Sequence, residues 1–259
     1  MYAERGANQV ERERDVFSTR YDSPQRTCCF SRAQPTTKSE FMNPDLKRLN
    51  VGCGDVPTVG WLNYDNSLSL RLAQYPLLVT FLRGVGLISE KQRRFMRLVR
   101  EHDIRYANAI KHIPEPDSSV EVLYTCHMLE HLERAEAESF LREAGRVLAH
   151  GGILRIVVPD LRHHVELYLR DSDADSFIES LYVAVPKPVG LVGMLKYLLV
   201  GERHHLWMYD GASLCRLLQQ AGFKDPQVLL PGKTTIAHPG QLDLFERDDE
   251  SVYVEAINP

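Results

Sequence analysis

Gly52 and Gly54 stand one residue apart in LNVGCGD, residues 49–55, directly after a short apolar run, and Asp65 follows eleven residues past Gly54 in GWLNYDNS. Glycines at the end of a first strand let the backbone approach a ligand that a Cβ would hold away. A carboxylate at the end of the second strand can accept both hydroxyls of a ribose. Together they describe half of an adenosine site, although the glycine pair alone is a weak signal and Asp65 alone reads first as a turn residue.

Proton transfer needs other groups. His127 in TCHMLEHL, Asp160 in IVVPD, and His163, His164, His204 and His205 stand where strands would open onto a pocket. Histidine suits general base work near neutral pH, and His127, Asp160 and His204 are the candidate catalytic residues. His127 reads equally as a hydrogen-bonded structural histidine. Glu130 and His131 are expected to anchor the following helix. HMLEH sets two histidines four apart, but the first falls before the helix begins and the HExxH pattern is absent, so no metal ligand set is expected. Trp207 and Tyr209 read as apolar walls or packing residues.

These residues need elements to position them, and from Leu46 onward short apolar runs alternate with helical patterns, the signature of a parallel sheet covered by helices. The runs are 48–51, 61–64, 104–108, 120–126, 153–159, 227–230 and 251–257, seven candidate strands. In MLEHLERAEAESFLREAGRVLAHGG, Leu129, Leu132, Phe140, Leu141, Ala144, Val147 and Leu148 mark one helical face, with Gly151 as a left-handed stop. Asp210 can cap a second helix whose stripe is Leu214, Leu217, Leu218 and Ala221 before Gly222.

Two segments, 66–103 and 161–209, exceed an ordinary strand-to-helix connection. Loops of that size carry helices of their own and act as lids or binding walls. Both follow the carboxyl ends of strands, where open α/β sheets bind ligands. Residues 1–42, rich in charge, Ser, Thr, Gln and Pro, read as a disordered or loosely attached extension before a single domain over 43–259.

Composition narrows the partners. A formal charge of −4 over 259 residues argues against nucleic acid. Five scattered cysteines without CxxC spacing suit free thiols in a reducing compartment, and no apolar signal core opens the chain, so a cytoplasmic location is expected. The apolar stretches 76–88 and 189–201 are too short to span a bilayer and carry Arg83 and Lys196. They read as buried or lid helices, with peripheral membrane contact the minor alternative. Oligomeric state is not legible.

Residues 49–160 resemble the class I S-adenosylmethionine-dependent methyltransferases. LNVGCGD resembles their first motif, YDNS their ribose acid, IPEPDSSVEVLYTCHMLEHL their fourth-strand region, and REAGRVLAHGGILRIVVPD their helix, Gly-Gly turn and fifth strand. HLWMYDGASLCRLLQQAGF and the closing VYVEAINP are similar to a compact, mainly bacterial group of predicted methyltransferases, type 11-like, some encoded among glycan-assembly genes. The resemblance implies an α/β, Rossmann-like fold: a seven-stranded, mostly parallel sheet of order 3-2-1-4-5-7-6, its last strand antiparallel, with the helical insertions forming a lid. It further implies S-adenosylmethionine as cofactor, contacted by Asn50, Gly52, Cys53, Gly54, Asp65, Asn108, Ala109 and His127. The implied acceptor is a small molecule or glycan, with a lipid-linked variant, methylated on oxygen.

Three departures stand out. The family's third loop glycine is Val56, and the short interval to Asp65 implies a truncated first helix. The adenine-contacting acid matches Asn108, whose amide oxygen can still accept while its NH₂ donates. A methyltransferase fold that has lost catalysis and serves as a binding or regulatory module is the alternative. A dehydrogenase is disfavoured by the same short interval.

Overall fold

The computed structural model describes residues 46–73, 75–84, 90–184, 190 and 204–259. The expected extension over 1–42 and all of the apolar stretch 189–201 except Gly190 fall outside the described residues.

Each of the seven apolar runs forms a strand: β1 Lys47–Val51, β2 Leu62–Asp65, β3 Arg105–Tyr106, β4 Val120–Cys126, β5 Leu148–Pro159, β6 Lys224–Leu229 and β7 Ser251–Ile257. They pair in the order β3-β2-β1-β4-β5-β7-β6. All pairings from β3 to β5 are parallel, and β7 runs antiparallel to both β5 and β6. The expected fold is the observed one.

Register sorts side chains onto two unlike faces. Leu62, Leu49, Leu123, Leu154 and Ala256 lie side by side across five strands. Four of them are fully or almost fully buried, with Leu62 packed at the margin, in a core completed by helices α4 (Arg134–Val147) and α7 (Gly211–Gln220). One residue further along each strand, Asn63, Asn50, Tyr124, Arg155 and Glu255 form a row on the opposite face. Period-two alternation demands that this second row be buried by something else. Loops supply that cover: Ile236 and Leu242, with Trp61, pack on Val122, Tyr124, Val157 and Tyr253.

The polar second row follows from that cover. A loop on a sheet brings unpaired backbone groups that need partners when buried. Residues 52–61 between β1 and β2 contain turns and no helix, a shorter connection than the truncated helix expected. Asn50 Nδ2 donates to the Val56 carbonyl and to Thr58 Oγ1 at 3.2 and 3.0 Å. Asn63 accepts from Thr58 N and donates to the carbonyls of Thr58 and Trp61. Two buried amides therefore do the satisfying that a helix would do internally.

Helix ends follow local chemistry, with two differences from expectation. Glu133 and Glu136 form a capping box at the start of α4, after a separate 3₁₀ turn over Leu129–His131. The helix ends at Leu148 in extended conformation, so Gly151, at φ 78°, turns the chain inside the start of β5 instead of stopping the helix. Asp210 caps α7 by accepting from Ser213 N at 2.7 Å, and Leu214, Leu217 and Leu218 are buried, whereas Ala221 is exposed beyond the last turn.

The two long segments hold helices as expected. Residues 66–103 contain α1 (Leu68–Ala73), α2 (Pro76–Gly84) and α3 (Glu90–Glu101), and the described part of 161–209 contains α5 (Leu161–Asp171) and α6 (Ala174–Ser180). Among the described residues no helix is long and apolar enough to cross a membrane.

Candidate functional site

The carboxyl ends of β1, β2 and β4 carry the candidate residues. Gly52 and Gly54 adopt φ of 73° and 52°, the left-handed region where a side chain is strained. Their surroundings differ. A Cβ on Gly52 would lie 2.6 Å from Met128 Cγ, so the loop and the turn after β4 touch there, whereas a Cβ on Gly54 would meet nothing within 4 Å. Gly54 thus presents bare backbone to open space.

Asp65 ties that loop to β2. Its Oδ2 accepts from Gly54 N at 3.1 Å and its Oδ1 from Ser67 N at 2.7 Å. A carboxylate has about four acceptor positions, so capacity remains for hydroxyl donors. Gly52 N and Cys53 N both donate to the Tyr64 carbonyl, which sets the loop against the end of β2. Cys53 is buried with Leu70 and Ile104, packing the loop beneath α1 and the start of β3, and burial pushes its thiol well above the ordinary range.

Asn108 and Ala109 follow β3. Ala107 N donates to the Asp65 carbonyl, which sets this segment beside the acid. Asn108 Oδ1 accepts from Ile110 N at 3.2 Å, while Ala109 is buried. The amide oxygen expected to face a base edge is turned into its own loop. Asn50 is likewise a loop brace by its side chain, leaving its backbone as the part beside the first motif.

His127, at φ 49°, sits just past β4 with its side chain almost buried. Arginine can only donate, so Arg247 Nη1 at 3.2 Å marks Nδ1 as the acceptor, and Nε2–H then donates to Ser251 Oγ at 2.8 Å. Burial, reinforced by Arg247, His205 and His131, pushes its pKa down to about 3. A ring with both nitrogens engaged in this way is held as a positioned hydrogen-bonding group, the structural reading that the sequence left open beside a pocket role for His127.

Asp160 begins α5, where its Oδ1 accepts from Arg162 N at 3.0 Å as an N-cap, and burial raises its pKa. His163 lies against His164, which is buried and bonded to Ser180 Oγ. His204 is brought to the turn after β4, with its carbonyl accepting from His131 Nδ1 at 2.9 Å.

A cluster that the spacing of HMLEH did not reveal lies here as well. Glu130 is fully buried, burial pushes its pKa up to about 8, and both carboxylate oxygens lack a hydrogen-bond partner. Around its Oε1 stand His127 Nδ1 at 3.5 Å, His131 Nε2 at 3.8 Å and His205 Nε2 at 4.0 Å. Burial and His131 push His205 down to about 4. Glu130 is thus no helix anchor, and its partner His205 is too distant in sequence for any motif to pair them. Arg247 and Ser251, which hold His127, were equally illegible.

A family model described as a methyltransferase domain matches residues 49–156. Among solved structures, a methyltransferase from Methanosarcina mazei is 16% identical, with 84% of this chain and 94% of that one covered and a TM-score of 0.46. One from Thermotoga maritima is 15% identical over 83% and 84%, TM-score 0.42, and one from Mesorhizobium loti 16% identical over 82% and 91%, TM-score 0.41. No curated protein sequence matches the chain. Residues 49–156 therefore match a methyltransferase domain, set in a sheet of the order that the motifs imply, and the cofactor these findings support is S-adenosylmethionine.

Proposed function

We propose that the protein transfers a methyl group from S-adenosylmethionine to an oxygen of a small-molecule or glycan acceptor. The observation that carries this reading is the open, left-handed Gly54 bonded through its N–H to Asp65, because it joins a close-approach backbone to a carboxylate with acceptor capacity left.

The residues present fit the cofactor: the 52–54 backbone for the amino-acid end, Asp65 for the ribose hydroxyls, and for the adenine Ala109 with the Asn108 NH₂, the Asn108 oxygen being taken by Ile110 N. Bound there, the cofactor supplies a methyl group already activated on a sulfonium. The chain's own task is to hold the acceptor in line and exclude water. His127, neutral and fixed by Ser251 and Arg247, positions the floor of the site beside Met128. For the acceptor's proton, Asp160 is the proposed base, since burial raises its affinity for a proton and it stands at the end of β5. The lid helices would close over the acceptor. Exposed Leu77 and Phe81 on α2, with Tyr75 just before it, favour an acceptor with an apolar, lipid-like portion.

Calorimetric titration with S-adenosylmethionine and S-adenosylhomocysteine tests the cofactor half. Asp65→Ala is expected to weaken binding by about 1–3 kcal/mol, the cost of leaving buried polar partners unpaired. Asp160→Asn is expected to keep that affinity and abolish turnover on whichever hydroxyl acceptor a screen finds. The second reading, a non-catalytic binding module, is favoured by Asn108 turning its oxygen to Ile110 N. Cofactor binding without turnover on any acceptor, together with a stable protein partner, would select it.

A further inference from the structure

We propose that Glu130, His131 and His205 form a binding site for a divalent first-row transition cation, zinc by donor class. Their ligand atoms lie within 4.8 Å of one another. A cation with bonds of about 2.0–2.2 Å holds its ligand atoms roughly 3–3.6 Å apart. The separations of 3.8 and 4.0 Å from Glu130 Oε1 to the two histidine nitrogens are too long for hydrogen bonds and close to that span within a few tenths of an ångström.

Two further observations point to a ligand. Glu130 is wholly buried, yet neither of its carboxylate oxygens has a hydrogen-bond partner. A buried carboxylate is ordinarily paired or coordinated. The second concerns His131: its Nδ1 donates to the His204 carbonyl, which can only accept, so in the neutral ring the lone pair lies on Nε2, the nitrogen facing Glu130. That backbone bond is how a metal-ligating histidine is usually oriented.

The backbone is organised for the site. Leu206 N and Trp207 N both donate to the Glu130 carbonyl, and Arg134 stacks over Trp207, so 204–207 is already stapled to the turn after β4. His127 stands near the same oxygen but is not a ligand, because its Nδ1 takes Arg247. Two imidazoles and one carboxylate suit zinc better than calcium or magnesium, and three protein ligands leave a coordination position for water. The site goes beyond methyl transfer and does not depend on it.

The purified full-length chain, stripped with chelator, would be titrated with Zn²⁺ by calorimetry and with Co²⁺ by visible absorption. One cation per chain, a cobalt spectrum of low coordination number and a higher melting temperature with Zn²⁺ are expected. Glu130→Gln and His205→Asn should each weaken binding by about 10–100-fold or more, while His112→Asn, altering an exposed histidine elsewhere, should not. If Glu130→Gln fails to fold, His205→Asn and the cobalt spectrum of the unaltered chain decide. No uptake of either ion, or equal uptake by wild type and His205→Asn, would overturn the proposal. Cofactor titration of the same stripped chain reports separately on S-adenosylmethionine.

Discussion

At the scale of single residues, the two loop glycines separate folding from binding. Both are left-handed, but only Gly52 is crowded, by Met128. Gly52→Ala should therefore combine conformational strain of about 1–2 kcal/mol with a steric clash. Met128→Ala should recover part of the loss in a double-mutant cycle on urea unfolding. Gly54→Ala carries only the conformational term, yet its new methyl enters the space expected to hold the cofactor. It should lose about 1–2 kcal/mol, less than Gly52→Ala, and bind S-adenosylmethionine at least tenfold more weakly. Equal losses of stability at the two positions would show that the difference in crowding is irrelevant. These glycines were legible from the sequence because a turn after an apolar run is a local event. Glu130 was not, since its surroundings come from His205 and the 204–207 segment, and its burial depends on tertiary packing.

At the scale of elements, the insertion after β5 stands on one titratable contact. His164 is the buried residue of α5, and Ser180 Oγ, which donates to the Phe177 carbonyl, receives its Nδ1–H from α6. Burial, and then His163, lower the His164 pKa, with Glu250 opposing. A folded pKa below the unfolded value of about 6.5 means that the unfolded chain binds more protons between the two. Stability from this group is complete above about pH 6.5 and is lost as pH falls through the folded value. His164→Asn keeps a donor for Ser180 without the titration. The stability gap between wild type and variant, followed by thermal melts from neutral to acidic pH, should narrow as pH falls, and a gap constant with pH would remove His164 as the cause. Both segments were long enough in the sequence to call for structure of their own, and their described parts hold α1 to α3 and α5 to α6. Their internal contacts were not readable, since a helix pair such as α5–α6 is joined by side chains that composition does not pair.

At the scale of the whole molecule, the sheet has a helix-covered apolar face and a loop-covered polar one, and the second face depends on Arg155 and Glu255. The pair is fully buried, Nη1 to Oε1 at 2.6 Å, with Arg155 over the Tyr253 ring. From this centre Arg155 donates to the Lys233 carbonyl, while Glu255 accepts from Thr234 Oγ1, Thr235 Oγ1 and Thr235 N. Tyr124 and Tyr253 donate to Glu246 further along the same loop, whose Arg247 reaches His127. Strand periodicity revealed the positions of these residues and not their purpose, because a charged residue inside an apolar run becomes intelligible only when a loop is known to lie over it. Glu255→Leu should strand a buried guanidinium and cost about 3–5 kcal/mol, roughly a 10 °C fall in melting temperature for a domain of this size. Arg155→Met combined with Glu255→Leu should recover much of that cost, since the pair's attraction mainly offsets its own desolvation. The threonine and Lys233 contacts would still be lost, so the double variant should loosen the 233–247 loop, seen as faster amide exchange there and at His127. A double variant as unstable as Glu255→Leu alone, with exchange confined to β6 and β7, would mean that the pair holds strands together and does not fasten the loop.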